Sequence, residues 1–264
     1  MAIKRLLFYW APGLAVAVAK LISPARRLEL EAVQAIVPRE RLAIDIGASW
    51  GLYTLVLQRC TALVVAFEPN PTKAEYLNRV FRKMNVTVHA VALSDRSGNA
   101  ELVVPIAASA LATIEAANPL SATRGPSTVR LNVALRCLSD FEFRDVGFIK
   151  IDVEGHELSV LSGAQQLLVR DKPIICIEIE RRHNPNGFER VFNLLLGLGY
   201  SAFFLDAQRV VNFRLFELDR DQPRESVKGG QIRGHYIFNF LFFPPLEIDV
   251  SLAALRKAGF EVVA

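Results

Sequence analysis

Cysteine is scarce in this chain: Cys60, Cys137 and Cys176 are the three among 264 residues, and they form no CxxC pair. Their wide spacing excludes a disulfide framework and a thiolate zinc site, and it fits a reducing, cytoplasmic setting. Long apolar runs are also missing. The longest near the N-terminus, LLFYWAPGLAVAVA, is 14 residues, preceded by Lys4 and Arg5 and stopped at Lys20. A membrane span needs about 20 residues, and Pro12-Gly13 interrupts this one. Residues 1–22 therefore read as a helical segment packed on the domain, with weak peripheral membrane contact as the alternative. There is no concentrated charge of one sign. The net charge of +4 is spread along the chain, and the pairs Arg26-Arg27 and Arg181-Arg182 read as solvated faces, so no nucleic-acid footprint emerges. Internal repeats and low-complexity tracts are absent as well, and nothing sets an oligomeric state.

What is present is a 52% hydrophobic composition, enough for one large core. From residue 40 onward, short apolar runs alternate with segments of helical period, the pattern of βαβ units around a parallel sheet. Strands are predicted at Leu42–Ile46, Leu63–Phe67, Val86–Val91, Gly147–Ile151, Pro173–Ile179, Ser201–Leu205 and Tyr236–Phe243. Helices are predicted at Tyr53–Arg59, Thr72–Met84, Glu157–Val169 and Gly187–Leu198, the last closed by Gly199. Residues 1–36 form an N-terminal helical extension and 37–264 the main domain. Small residues with Pro119 and Pro126 mark 98–136 as an insertion, or a strand pair plus loop, able to act as a lid.

Four strand ends carry chemistry. AIDIGASWGLYT ends a buried strand in Asp45, and a turn with Gly47 and Gly51 then opens a helix; glycine allows a bulky ligand to approach the backbone. Ala48, Ser49 and Trp50 fill the places between the glycines, so this is not the GxGxxG of pyrophosphate cradles. VVAFEPNP places Glu68 23 residues after Asp45, near the spacing at which a carboxylate reaches ribose hydroxyls. VALSDRSG ends the next strand with Ser94 and Asp95, a polar pair able to bond an adenine edge. GFIKIDVEGHELSVLSGA gathers Lys150, Asp152, Glu154, His156 and Glu157 at the carboxyl end of a strand, where open α/β sheets bind ligands. Glu157 reads as a first-turn helix residue favoured by the helix dipole.

Together with SALATIE, these blocks resemble the ordered motifs of FkbM-type methyltransferases over roughly residues 40 to 180, and the closing NFLFFP resembles the last strand of the same family. The resemblance implies a class I methyltransferase, Rossmann-like α/β fold: a seven-stranded, mostly parallel sheet with helices on both faces and a reversed last strand. It also implies S-adenosylmethionine as cofactor and O-methylation of a small-molecule or carbohydrate acceptor. By motif, Asp45, Gly47 and Gly51 would line the methionine side, Glu68 the ribose, Ser94 and Asp95 the adenine, and Asp152 the sulfonium. Ala48, Ser49, Thr54 and Asn70 would complete the lining. Ser49 departs from the family, which commonly carries asparagine there.

A hydroxyl acceptor needs a base near the methyl group. His156 and His183 are the candidates, with Asp152, Glu154 and Glu178 as competing carboxylates; no dedicated metal site is expected. A nucleic-acid methyltransferase is disfavoured, since DVEG stands where an NPPF or DPPY tetrapeptide would grip a flipped base. The remaining rival is a non-catalytic module that binds a nucleotide-like ligand or a partner on the same fold.

Overall fold

The computed structural model describes residues 24–106, 108–119, 127–183, 187–228 and 231–263; the N-terminal apolar run lies outside them. The chain opens with α1 (Pro24–Ile36) and then alternates: β1 (Leu42–Ile46), α2 (Leu52–Leu57), β2 (Val64–Phe67), α3 (Pro71–Phe81), β3 (Val86–His89). A small sheet follows, built from β4 (Ala92–Leu93), β5 (Gly98–Pro105) and β6 (Thr128–Arg136). The alternation resumes with β7 (Val146–Ile151), α4 (Glu157–Ser162), α5 (Gln165–Asp171), β8 (Ile174–Glu178), α6 (Phe188–Gly197), β9 (Ser201–Asp206) and β10 (Arg209–Asn212). The last part holds α7 (Leu218–Asp221), the short pair β11 (Val227–Lys228) and β12 (Gln231–Ile232), β13 (Asn239–Phe243), α8 (Ile248–Lys257) and β14 (Glu261–Val263).

The main sheet has the order β14-β10-β9-β13-β8-β7-β1-β2-β3. β3, β2, β1, β7 and β8 pair in parallel, and β13 runs antiparallel to both β8 and β9. This is the expected α/β order with its reversed strand, but the sheet has nine strands, not seven. The two additions lie at one edge, where β10 folds back on β9 and β14 pairs in parallel with β10. The β9–β10 turn, Ala207-Gln208, carries neither glycine nor asparagine although Ala207 sits at φ 52°, so the usual hairpin signal is missing.

Successive residues of the central strands serve opposite faces. Ile44, Ile46, Val65, Phe67, Ile149, Ile151, Ile175 and Ile177 face one core with α4, α5 and α6. Ala43, Val64, Ala66, Phe148, Ile174 and Cys176 face the other, with α1, α2, α3 and α8. Both faces being covered is why these strands read as unbroken apolar runs. The predicted helix at 157–169 divides into α4 and α5 at Gly163, where a Cβ would overlap the Ser94 carbonyl oxygen. α6 ends in a Schellman motif: Tyr200 N–H donates to the Leu195 carbonyl at 3.1 Å, Gly199 N–H to that of Leu196 at 2.9 Å, and Gly199 takes φ 85°. Among the described residues no helix is long and apolar enough to cross a membrane. Cys60, Cys137 and Cys176 are all free.

Candidate active site

The strand order changes direction between β1 and β7, and the carboxyl ends of β1, β2, β7 and β8 open there into one trough. Two adjoining cavities occupy it, sharing Gly47, Ser49, Ala110 and Asp152. The first, about 50 Å³, is bounded by Glu68, Pro69, Leu93, Ala112, Ile114 and His156 among others. The second, about 310 Å³, lies against Arg26, Trp50, Tyr53, Leu111, Glu154 and Glu178.

The glycine turn is held from several sides. Gly47 takes φ 80°, and a Cβ there would overlap the backbone carbonyl oxygen of Asp152, so β1 and β7 approach each other only because this residue has no side chain. Gly51, also at φ 80°, sits against Leu77 and Phe81 of α3. Ser49 takes φ 51°, a region that asparagine enters with less strain than serine. Its N–H donates to Glu68 Oε2 at 2.7 Å, and the Asn70 N–H donates to Glu68 Oε1 at 2.9 Å. Glu68 is thereby fixed at the cavity wall with lone pairs to spare for a diol. Burial pushes its carboxyl above the ordinary range, with Lys73 and the two N–H groups opposing. Asn70 also caps α3, accepting from the N–H groups of Thr72 and Lys73.

Asp45 does not face the cavities. Its Oδ2 accepts from Thr54 Oγ1 at 2.5 Å, and burial raises its pKa to about 6 against the pull of Thr54 and Lys150. Ser94 is wholly buried and its hydroxyl meets His156 Nε2 at 2.9 Å, while Asp95 is turned outward towards Arg96. The side chain of Leu93, not of Ser94 or Asp95, lines the first cavity. His156 is engaged at both ring nitrogens, Nδ1 meeting Glu115 Oε2 at 3.0 Å. His183 Nδ1 meets Glu154 Oε2 at 2.7 Å. The structure thus separates the two histidines: His156 ties the wall to residue 115, and His183 stands behind Glu154.

The floor of the second cavity is acidic. Ligating atoms of Asp152, Glu154 and Glu178 lie within 4.8 Å of one another, as do those of Glu154, Glu180 and His183. Burial, then repulsion from Asp152 and Glu180, holds the Glu154 carboxyl well above the usual carboxylate range; burial and Asp152 do the same to Glu178. Burial lowers the pKa of His183. Glu157 stands in the first turn of α4, accepting from the Gly155 N–H at 2.7 Å, and burial pushes it up to about 7. A carboxyl raised in the folded state stabilises the fold below its unfolded pKa and loses that contribution as pH rises through the folded one. Glu157→Gln is therefore expected to match the wild type near pH 5 and to exceed it at pH 8, by on the order of 3 kcal/mol. Urea midpoints at the two pH values check this, and equal midpoints at pH 8 would count against it.

Arg26 and Tyr53 also line this cavity, and Lys150 packs on the Tyr53 ring. Arg26 of α1 donates to Glu29 Oε2 and to Tyr53 Oη, both at 3.0 Å. Lys150, fully buried, lies 4.8 Å from the Tyr53 ring centre and 3.9 Å from Glu29. Burial opposes its charge, but the Cys176 thiol, Asp152, Glu29 and Glu178 outweigh it and raise its pKa. Arg26 is thus no solvated-face residue, and neither are Arg182, which grips Glu180, and Arg181, paired with Asp219; Arg27 remains exposed. On the opposite wall Lys73 donates to Ser49 Oγ at 3.1 Å and to the Ser109 carbonyl at 2.8 Å.

With this geometry in place, comparison with known proteins is decisive. The family model for the methyltransferase FkbM domain matches residues 45–202, more than half of the chain. The chain belongs to the FkbM methyltransferase family. The matched span contains Gly47, Glu68, Asp152, Glu154 and His183, but not α1 with Arg26 and Glu29. "Methyltransferase 1" of Beauveria bassiana is 26% identical over 174 residues, which is 53% of this chain and 70% of that protein. Among solved structures, this FkbM-family chain is similar to methyltransferase FkbM from Methylobacillus flagellatus KT. They share 18% identity with a TM-score of 0.49, over 77% of this chain and 44% of the other. The precorrin-6y C5,15-methyltransferase of Geobacter metallireducens GS-15 gives 11% identity and a TM-score of 0.45, over 83% and 87% of the two chains.

Proposed function

We propose that this methyltransferase uses S-adenosylmethionine to methylate a hydroxyl oxygen of a small-molecule or carbohydrate acceptor. The observation that carries the reading is the joining of two unlike cavities under Ala110: one with Glu68 displayed for a ribose diol, the other floored by Asp152, Glu154 and Glu178. Glu68 would hold the ribose, Leu93, Ala112 and Ile114 would enclose the base, and the Gly47–Ser49 turn would bear the methionine end. When bound, the cofactor would supply an electrophilic methyl carbon on a sulfonium whose sulfur would keep the electron pair as the methyl group passed to the acceptor oxygen. The protein's share is alignment, at about 3 to 3.5 Å between oxygen and carbon, and removal of the hydroxyl proton. Glu154, lining the acceptor-side cavity with His183 behind it, is the base this geometry favours over His156, whose ring is engaged at both ends.

Two measurements test the reading. Calorimetry with S-adenosylhomocysteine should show binding that Glu68→Ala weakens about 10- to 100-fold, the effect of a charged hydrogen bond. A screen of hydroxylated acceptors with methyl-labelled cofactor, run with and without chelator, should then show transfer to oxygen that survives chelation. Unchanged affinity in a folded Glu68→Ala protein would remove the ribose role. Binding without turnover on any acceptor class would favour the non-catalytic module.

A further inference from the structure

Both cavities share one roof. Residues 109–118 of the insertion cross the trough, with Ala110, Ala112 and Ile114 over the first cavity and Ala110 and Leu111 over the second. At about 50 Å³ the first cavity has room for a handful of waters, far less than a nucleoside. A nucleoside seated there would need the lining to move, and 109–118 is the part of the lining that belongs to a connecting segment, so what ties it down bears on entry.

The ties converge on one loop. Thr113 Oγ1 donates to the backbone carbonyl of Glu154 at 2.9 Å, and Asn118 Nδ2 donates to the same oxygen at 2.8 Å. Thr113 and Asn118 are themselves 1% and 5% exposed, so these bonds are shielded from water. Glu115 holds His156, two residues beyond Glu154, and Lys73 holds the Ser109 carbonyl at the far end. Thr113 is also fixed from behind by paired backbone bonds to Val103 of β5. Glu154 itself takes φ 50°, an unfavourable conformation for a glutamate that persists only where its surroundings enforce it. Two side-chain donors on its own carbonyl are such an enforcement.

We propose that residues 109–118 form a strap that closes over the cofactor, and that Thr113 and Asn118 are positioning residues. By bonding the Glu154 carbonyl they seat the strap and aim the Glu154 carboxyl in the same step. The part concerning aim rests on Glu154 being the base. The part concerning closure does not. Opening the strap releases the Glu154 peptide, so proton removal is aligned only while the cofactor is enclosed.

Stopped-flow exchange of S-adenosylhomocysteine, followed by Trp50 fluorescence in a Trp10→Phe background, tests closure. Thr113→Val and Asn118→Ala are each expected to speed both association and dissociation, dissociation by about fivefold for one net hydrogen bond. Thr113→Ser, which keeps the hydroxyl, should restore the wild-type rates. Mere loss of fold would slow or abolish association, so faster entry separates a latch from damage. Carboxyl ¹³C titration tests aim: the Glu154 signal, assigned by its loss in Glu154→Gln, should move towards the ordinary glutamate range in both strap variants. Glu154→Gln keeps the backbone carbonyl and should leave exchange rates unaltered. If it also retains turnover, the base assignment fails while the strap stands. Wild-type exchange rates in folded Thr113→Val and Asn118→Ala proteins would overturn the strap itself.

Discussion

Glu154→Gln is expected to lower turnover at neutral pH by roughly 10²- to 10⁴-fold, the usual contribution of a positioned base. The affinity for S-adenosylhomocysteine should stay within a few-fold of wild type, because the substitution preserves shape and the neighbouring charges. The argument is local. Glu154 Oε2 lies 2.7 Å from His183 Nδ1, so the glutamate and the imidazole share a proton site, and burial favours the neutral form of each. A carboxylate held above its ordinary range is a stronger base than one in water, yet it must be unprotonated to act. The wild-type acid limb should therefore lie well above the ordinary carboxylate range, and it should vanish in the glutamine variant along with most of the rate. A profile in which the limb persists in Glu154→Gln would transfer the role to Asp152 or Glu178.

The second large effect is in the turn. In Gly47→Ala the new methyl group must occupy the place of the Asp152 carbonyl oxygen, and the backbone must hold φ 80° with a side chain attached. Backbone atoms on both sides leave no flexible neighbour to yield, so a loss of about 3 to 5 kcal/mol is expected. For a chain of this size that lowers the melting temperature by roughly 10 °C. Because β1 and β7 would part where both cavities meet, S-adenosylhomocysteine binding should fail even well below the melting transition. Calorimetric melting with and without S-adenosylhomocysteine checks both statements; a variant that melts like the wild type would show that the strand ends separate freely.

How far the sequence reveals this site depends on how local each determinant is. Gly47 and Glu68 are legible because a buried strand followed at once by a glycine or a carboxylate has few other uses; Asp45 is legible as the strand's end, but its carboxylate turns to Thr54 and not to the cavities. The seven predicted strands of the main sheet are present for the same reason. β10 and β14 escape notice: the Ala207-Gln208 turn lacks the residues that normally mark a reversal, and β14 has only three residues. Arg26 and Glu29 look like the polar side of an amphipathic helix, and only the packing of α1 against α2 turns them inward. The bonds from Thr113 and Asn118 to Glu154 span 41 and 36 residues, and nothing in either segment's pattern foretells the other. His156 was legible as a rim residue but not as a tether, since that role depends on where Glu115 falls.

The doubly covered sheet carries a consequence for folding fidelity. A strand with one wet face finds its partner because a one-residue slip would put apolar side chains in water. β1 and β7 have no wet face, so hydrophobicity alone would accept several alignments. Asp45 stands opposite Lys150 in the observed register, on the face shared with Ala43 and Phe148. A slip by one residue would send one of the two to the other core, away from the groups that hold it (Thr54 for Asp45; Glu29, Asp152 and Glu178 for Lys150), and leave a buried charge uncompensated, a penalty of several kcal/mol. The pair thus discriminates against misaligned chains, whatever it adds to the stability of the correct one.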